Sequence, residues 1–81
     1  MSLPIDTPAL ERRDWIAGLE NGLSIIETFD PEHPRMTASQ VGQRCGLTRT
    51  AARRYLLTLA HLGYAQTDGK HFWLAPRVLR L

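Results

Sequence analysis

Between Thr37 and Gly63 local signals alone specify two helices and the turn that joins them. Thr37-Ala38-Ser39-Gln40 matches the capping-box pattern, in which the threonine hydroxyl takes the amide three residues on and the glutamine returns to the threonine amide. A short helix follows through Cys45. It stops at Gly46, which suits a left-handed position that β-carbon sterics deny most residues. Thr48 then offers an N-cap. Ala52, Tyr55, Leu56, Leu59 and Leu62 recur on one helical face up to a second glycine stop, Gly63. A small residue, Gly42, stands where the two helices must cross. Val41, Cys45, Leu47, Ala52 and Tyr55 are phased to lock the pair. This is the logic of a helix-turn-helix, and it leaves a short chain few alternatives.

The flanking segments extend that unit. Trp15, Leu19, Leu23 and Ile26 follow a helical spacing, with Ile16, Ile25 and Phe29 adding to the apolar side. Asp14 can cap this first helix, and Phe29-Asp30-Pro31 ends it, because a residue before proline is pushed out of the α region. Gly18 and Gly22, with Glu20 and Asn21 between them, fit close packing or surface tolerance. Asp30 to Met36 reads as a loop. Beyond Gly63, Tyr64–Thr67 and Lys70–Leu74 flank Asp68-Gly69, a strong hairpin signal for a type I′ turn with positive φ at both positions. Phe72 and Leu74 should face the core and Trp73 the other way. Pro76 suits the first position of another helix. The expected fold is mainly α with a small β-hairpin, a winged helix-turn-helix of three helices and a two-stranded wing over residues 14–75. Residues 1–13, with Pro4 and Pro8, read as a flexible N-terminal arm. Residues 76–81 read as the start of a linker helix cut off by the chain end.

Composition narrows the function classes. Eighty-one residues make one small domain with a marginal core. No apolar run reaches the ~18–20 residues that span a bilayer, and Met-Ser-Leu-Pro-Ile-Asp lacks the basic and apolar regions of a signal peptide. A single cysteine, Cys45, rules out an internal disulfide and fits a reducing, cytoplasmic compartment. The net charge of +2 hides an asymmetry. Residues 1–32 hold seven acids and two bases, a balance of −5, whereas residues 33–81 hold eight bases and one acid, a balance of +7. Such a separation points to a polyanionic partner.

In a helix-turn-helix the second helix lies in the major groove with its N-terminal residues near base edges. Here those are Thr48, Arg49, Thr50 and Arg53. Arginine can read guanine O6 and N7 bidentately, and threonine can donate, accept or touch a thymine methyl. Arg54 is rotated towards the backbone side; it either contacts phosphate or pairs with an acid of the first helix such as Glu27. Arg44 joins the basic cluster around the helix start. Free amides at the start of the preceding helix, with Thr37 and Ser39 beside them, suit a phosphate. Lys70 and His71 at the hairpin tip are placed for phosphate or the minor groove. Cys45 reads as a packing residue. His33, His61 and His71 lack metal-ligand spacing. Trp15 and Trp73 read as packing residues, although Trp73 leaves a partner contact open. Nucleophile elbows, phosphate loops and paired carboxylates are missing from the sequence, so the expectation is a double-stranded-DNA-binding domain, not an enzyme, with no cofactor and no metal. The rival reading is a winged helix used only for protein–protein contact.

Gly46-Leu47-Thr48-Arg49-Thr50-Ala51-Ala52-Arg53-Arg54-Tyr55-Leu56-Leu57-Thr58-Leu59 with Leu62-Gly63-Tyr64 closely resembles the recognition helix of IclR-family transcriptional regulators. Asp68–Leu74 and Pro76–Leu79 resemble that family's wing and linker-helix start, and Gly22–Phe29 its first helix. The resemblance covers about residues 15–81. The double alanine and double arginine look most like the branch that regulates aromatic-acid catabolism through the β-ketoadipate pathway. The resemblance implies a bacterial regulator that binds promoter DNA as a homo-dimer or tetramer, with a small aromatic-acid effector bound only by a further C-terminal domain. This chain then looks like the isolated DNA-binding domain. Gly42 stands where the family usually has alanine, at an expected cost of roughly 1 kcal/mol to the helix. Ala75 stands where a capping threonine is common.

Overall fold

A computed structural model describes residues 9–81. A 3-10 turn at Arg12–Asp14 precedes helix α1 at Ala17–Thr28. Strand β1 at Met36–Thr37 leads directly into α2 at Ala38–Cys45, and α3 follows at Arg49–His61. Strands β2 at Ala65–Thr67 and β3 at His71–Leu74 form the wing, and a 3-10 turn at Pro76–Arg80 ends the chain. The architecture is the winged helix-turn-helix expected from the sequence. Residues 1–8 of the expected arm lie outside the described residues.

Local signals govern α2 and α3. The capping box forms: Gln40 N donates to Thr37 Oγ1 at 3.2 Å and Thr37 N to Gln40 Oε1 at 2.8 Å. Gly46 closes α2 in the left-handed region, with φ +72°. Thr48 caps α3 by accepting from Ala51 N at 3.1 Å. Leu47 N donates to Gly42 O at 2.8 Å, which draws the chain back across α2 immediately before α3 begins. At the other end, Gly63 takes φ +90°, and the Arg77 guanidinium donates to Leu62 O at 2.8 Å. A cation there satisfies an orphan carbonyl and complements the negative end of α3.

Ile25, Met36, Ala38, Val41, Ala52, Leu56 and Phe72 form the buried core, with Phe29, Cys45, Leu47, Tyr55 and Leu59 packed against it. The apolar residues phased to join α2 and α3 are therefore in the core or on its edge. Leu62 is not: α3 ends at His61, and Leu62, its C-cap, is exposed.

Three expectations need correction. First, Asp14 does not cap α1. It belongs to the 3-10 turn, Trp15 and Ile16 are extended, and α1 begins at Ala17 without a side-chain cap. The helix turns Ile25 inwards beside its small and polar residues, with Gly18 facing the Tyr55 hydroxyl. The predicted stripe of Trp15, Leu19 and Leu23 is left exposed, at 54%, 61% and 48%.

Second, the sheet has three strands. β1 pairs antiparallel with β3, in the order β1-β3-β2, with Met36 opposite Phe72 and Thr37 opposite His71. The hairpin pairs Thr67 with Phe72 and Ala65 with Leu74. Its turn is not type I′, because only Gly69 has positive φ, at +101°. Glycine at the first of the two central positions, Gly69-Lys70, is the type II′ pattern. Asp68 takes the other role, accepting from Lys70 N at 2.9 Å and His71 N at 2.7 Å.

Third, the segment after Pro76 is 3-10 rather than α-helical, and Ala75 provides no side-chain cap for it.

Candidate nucleic-acid interface

Arg49 and Arg53 are one helical turn apart on α3, so they share a face. Both are exposed. With Thr37, Ala38, Ser39, Gly69 and Lys70 they line one concavity of about 240 Å³ between the start of α2, the start of α3 and the wing tip. Five of the nine predicted site residues thus converge: Thr37, Ser39, Arg49, Arg53 and Lys70. No acid among the described residues pairs with Arg49, Arg53 or Lys70. The site is a cationic notch, open to solvent, without a neutralising partner.

The remaining predicted residues lie around it. Thr48 Oγ1 accepts one bond in the α3 cap, which leaves the hydroxyl hydrogen and a second lone pair free. Thr50 is exposed on the first turn of α3. Arg54 faces another direction, lining a second hollow with Asn21, Ala51, Tyr55 and Thr58 on the α1 side. The ion pair of Arg54 with Glu27 does not form among the described residues. His71 is half-buried, its Nδ1 3.8 Å from Asp68 Oδ2. The amides of His71 and Lys70 hold the Asp68 carboxyl below the usual carboxylate range, so it is ionised at neutral pH and fastens the wing tip.

Two readings change. The capping box already uses the amides of Thr37 and Gln40, so fewer free donors remain at the start of α2 for a phosphate than the sequence suggested. Arg44 leaves the basic cluster altogether. Its guanidinium donates to Thr28 Oγ1 at 3.0 Å and Asp30 Oδ2 at 3.5 Å, tying α2 to the end of α1. Asp30 is kept ionised for this contact, because the His33 side chain, and then the backbone amides of His33 and Glu32, lower its pKa. Helical phase distinguishes Arg44 from Arg53 only once the position of α1 is known.

Sequence reasoning missed Arg35. The β1–β3 register puts it opposite Trp73, and its guanidinium carbon lies 4.0 Å from the indole centroid. The basic character of the segment was visible in the sequence; the stack was not, because it depends on a two-residue strand.

A family model described as the IclR helix-turn-helix domain matches residues 18–69. A p-hydroxybenzoate hydroxylase transcriptional activator of Acinetobacter baylyi is 48% identical over 77 residues, covering 95% of this chain and 28% of that protein. A Pca operon regulatory protein of the same organism is 38% identical over 71 residues, covering 88% of this chain and 26% of that protein. Among solved structures, a transcriptional regulator from a Rhodococcus species superposes with a TM-score of 0.81 at 51% identity, over 83% of this chain and 27% of that one. An IclR-family regulator from Brucella abortus gives a TM-score of 0.81 at 25% identity, over 85% of this chain and 27% of that one. The chain therefore spans little more than a quarter of the length of these proteins.

Proposed function

Because the chain belongs to the IclR family of transcriptional regulators, and supplies its helix-turn-helix DNA-binding domain, we propose that α3 enters the major groove of promoter DNA with Arg49 and Arg53 leading. The convergence of Arg49, Arg53, Thr37, Ser39 and Lys70 around one unneutralised concavity carries this reading. Arg49 and Arg53 are assigned to base edges, with Thr48 and Thr50 beside them. Thr37, Ser39 and Lys70 are assigned to phosphates, which fix register without reading sequence. Arg54 and His71 sit on the flanks and are assigned to backbone contact. The family consists of regulators rather than enzymes, and the assigned residues bind without reacting.

The identity with a p-hydroxybenzoate hydroxylase activator supports control of genes for aromatic-acid catabolism, and the proposed site of action is the bacterial cytoplasm. A small aromatic-acid effector is assigned to the part of these regulators that the chain does not span. No described helix is long and apolar enough to cross a membrane.

A second copy of the chain is the proposed occupant of the exposed α1 face. Leu10, Trp15, Ile16, Leu19 and Leu23 form an apolar hollow rimmed by Asp14 and Glu20. The C-terminal segment has the complementary character, with exposed Leu79 and Leu81 beside Arg77 and Arg80. Sedimentation should reveal a reversible dimer that Leu19→Asp abolishes; a monomer at every concentration contradicts it.

The test of DNA reading is a mobility-shift assay on duplexes that the protein itself selects from a random pool. Arg49→Ala and Arg53→Ala should each cost about 1–3 kcal/mol and relax preference at individual base pairs. Unchanged affinity and unchanged preference in both variants overturn it. The protein–protein alternative predicts instead no salt-dependent binding to duplex DNA, and salt-insensitive binding to a protein partner.

A further inference from the structure

The outward face of the wing sheet carries a preorganised cation that the helix-turn-helix does not use. Met36 and Phe72 face each other across β1 and β3 and are buried, at 2% and 1% exposure. Alternation therefore sends Thr37, His71 and Trp73 to the opposite face, and Arg35, one residue before β1, continues the row. The Arg35 guanidinium stacks on Trp73 at 4.0 Å. The Trp73 indole N–H in turn donates to Gln66 Oε1 at 2.8 Å, across the β2–β3 pair. Arg35, just before β1, Trp73 on β3 and Gln66 on β2 form one row across the outer face of the sheet.

Arg35 differs from the other arginine of this region. Arg44 is consumed by Asp30 and Thr28, whereas Arg35 is exposed and has no ion-pair partner among the described residues. Three acids lie near it: Glu32 shares a hollow with Arg35 but forms no ion pair with it, and the other two are engaged elsewhere. Asp30, which shares a shallow hollow with Arg35 and Trp73, is held by His33 and Arg44. Asp68 lies in the field of Arg35 but has its Oδ1 taken by the amides of Lys70 and His71. Two residues along from Arg35, about 7 Å on the same face, is Thr37, which lines the concavity of Arg49, Arg53 and Lys70. The cationic surface thus runs from that notch onto the sheet.

We propose that Arg35, held over the Trp73 ring, binds a DNA backbone phosphate and extends the footprint from the α3–wing notch across the outer face of the sheet. This rests on the DNA-binding reading above. Trp73 is the positioning residue. It removes rotamer freedom from the guanidinium in advance, so less is lost when the phosphate is bound. The contact is sequence-independent, because phosphates carry no base information.

The test is a salt titration of this chain with a fluorescent mixed-sequence duplex of about 20 base pairs, two helical turns. Arg35→Ala should weaken binding about five- to tenfold near 0.1 M salt and reduce the log–log salt slope by about 0.9. Arg35→Gln, a shorter but still polar side chain without the charge, should do the same. Trp73→Leu should weaken binding while keeping most of the slope, since the charge remains but is no longer held. Arg35→Lys should also keep the slope and lose affinity, because an ammonium does not stack as a guanidinium does. A slope unchanged in both Arg35→Ala and Arg35→Gln overturns the proposal, whatever the affinity, and assigns the stack to wing stability. If those two variants match wild type while Arg53→Ala loses binding, only the Arg35 contact falls. If wild type does not bind the duplex even at low salt, the DNA reading falls with it.

Discussion

A β-carbon on Gly42 would stand 2.7 Å from the carbonyl oxygen of Leu47. The obstacle is backbone, as is its neighbour, the Thr48 carbonyl oxygen at 3.2 Å. Both belong to the turn that connects α2 to α3, so neither can yield without moving the recognition helix. On sequence alone glycine here reads as a cost to α2. In this chain the crossing is closer than alanine permits. Gly42→Ala should gain up to ~1 kcal/mol of helix propensity and lose more through overpacking, typically about 1–3 kcal/mol. The net effect is destabilisation, read as a fall in Tm of several degrees, since ~1 kcal/mol shifts a domain of this size by about 4–8 °C. An unchanged or raised Tm contradicts it.

Arg44 and Arg53 should separate cleanly in a paired experiment. Arg44→Ala removes the tie to Thr28 and Asp30, an exposed contact of at most ~1 kcal/mol, and should leave the DNA salt slope alone. Arg53→Ala should leave Tm nearly unchanged and lower the slope or the preference. Thermal melts and salt titrations on both variants check this; an exchange of the two effects would reverse the assignments.

The Thr48 hydroxyl caps α3 through Ala51 N. Thr48→Ala should cost about 1 kcal/mol of stability. Thr48→Ser should restore most of it by supplying the same oxygen. Chemical denaturation measures both, and a Thr48→Ser variant as unstable as Thr48→Ala contradicts the cap.

The wing tip should be acid-sensitive with a defined sign. Asp68 has its pKa lowered, first by the His71 amide and then by the Lys70 amide. A carboxyl with a depressed folded-state pKa contributes stability above its unfolded value and loses it as pH falls through the folded value. The wing should therefore hold unchanged from neutral pH down to about 5, above the ordinary carboxylate value, and loosen only below it. A carbon NMR titration of the Asp68 carboxyl should give a midpoint below that of an unstructured aspartate. An ordinary or raised midpoint contradicts the turn geometry.

What was legible in the sequence was local. Thr37 with Gln40, Gly46, Thr48 and Gly63 each satisfy or terminate a helix within a few residues, so their roles follow from spacing. Strand β1 was not legible, because two residues show no periodicity and Met36 becomes a strand only by meeting Phe72 across the fold. Helical spacing groups Trp15, Leu19 and Leu23 on one apolar side of α1, but spacing does not say which apolar residues meet the core. The domain instead buries Ile25 against α2 and α3, which leaves that stripe exposed. Within the candidate site, α3 residues could be named from the motif. Their division into a notch containing Arg53 and a flank containing Arg54 required α1 and the wing in place. The hairpin turn shows the same limit: Asp-Gly marked its place, but the register set by β3 put glycine, not aspartate, at the first central position.

An amide chemical-shift map of this chain, titrated with a DNA duplex, puts the cationic notch to its sharpest test. The largest changes are expected at Thr37–Ser39, Thr48–Arg53 and Gly69–Lys70, the residues around the shared concavity, with little change along the exposed α1 face. Changes concentrated at Trp15–Leu23, with α3 and the wing tip undisturbed, would contradict DNA binding through the notch.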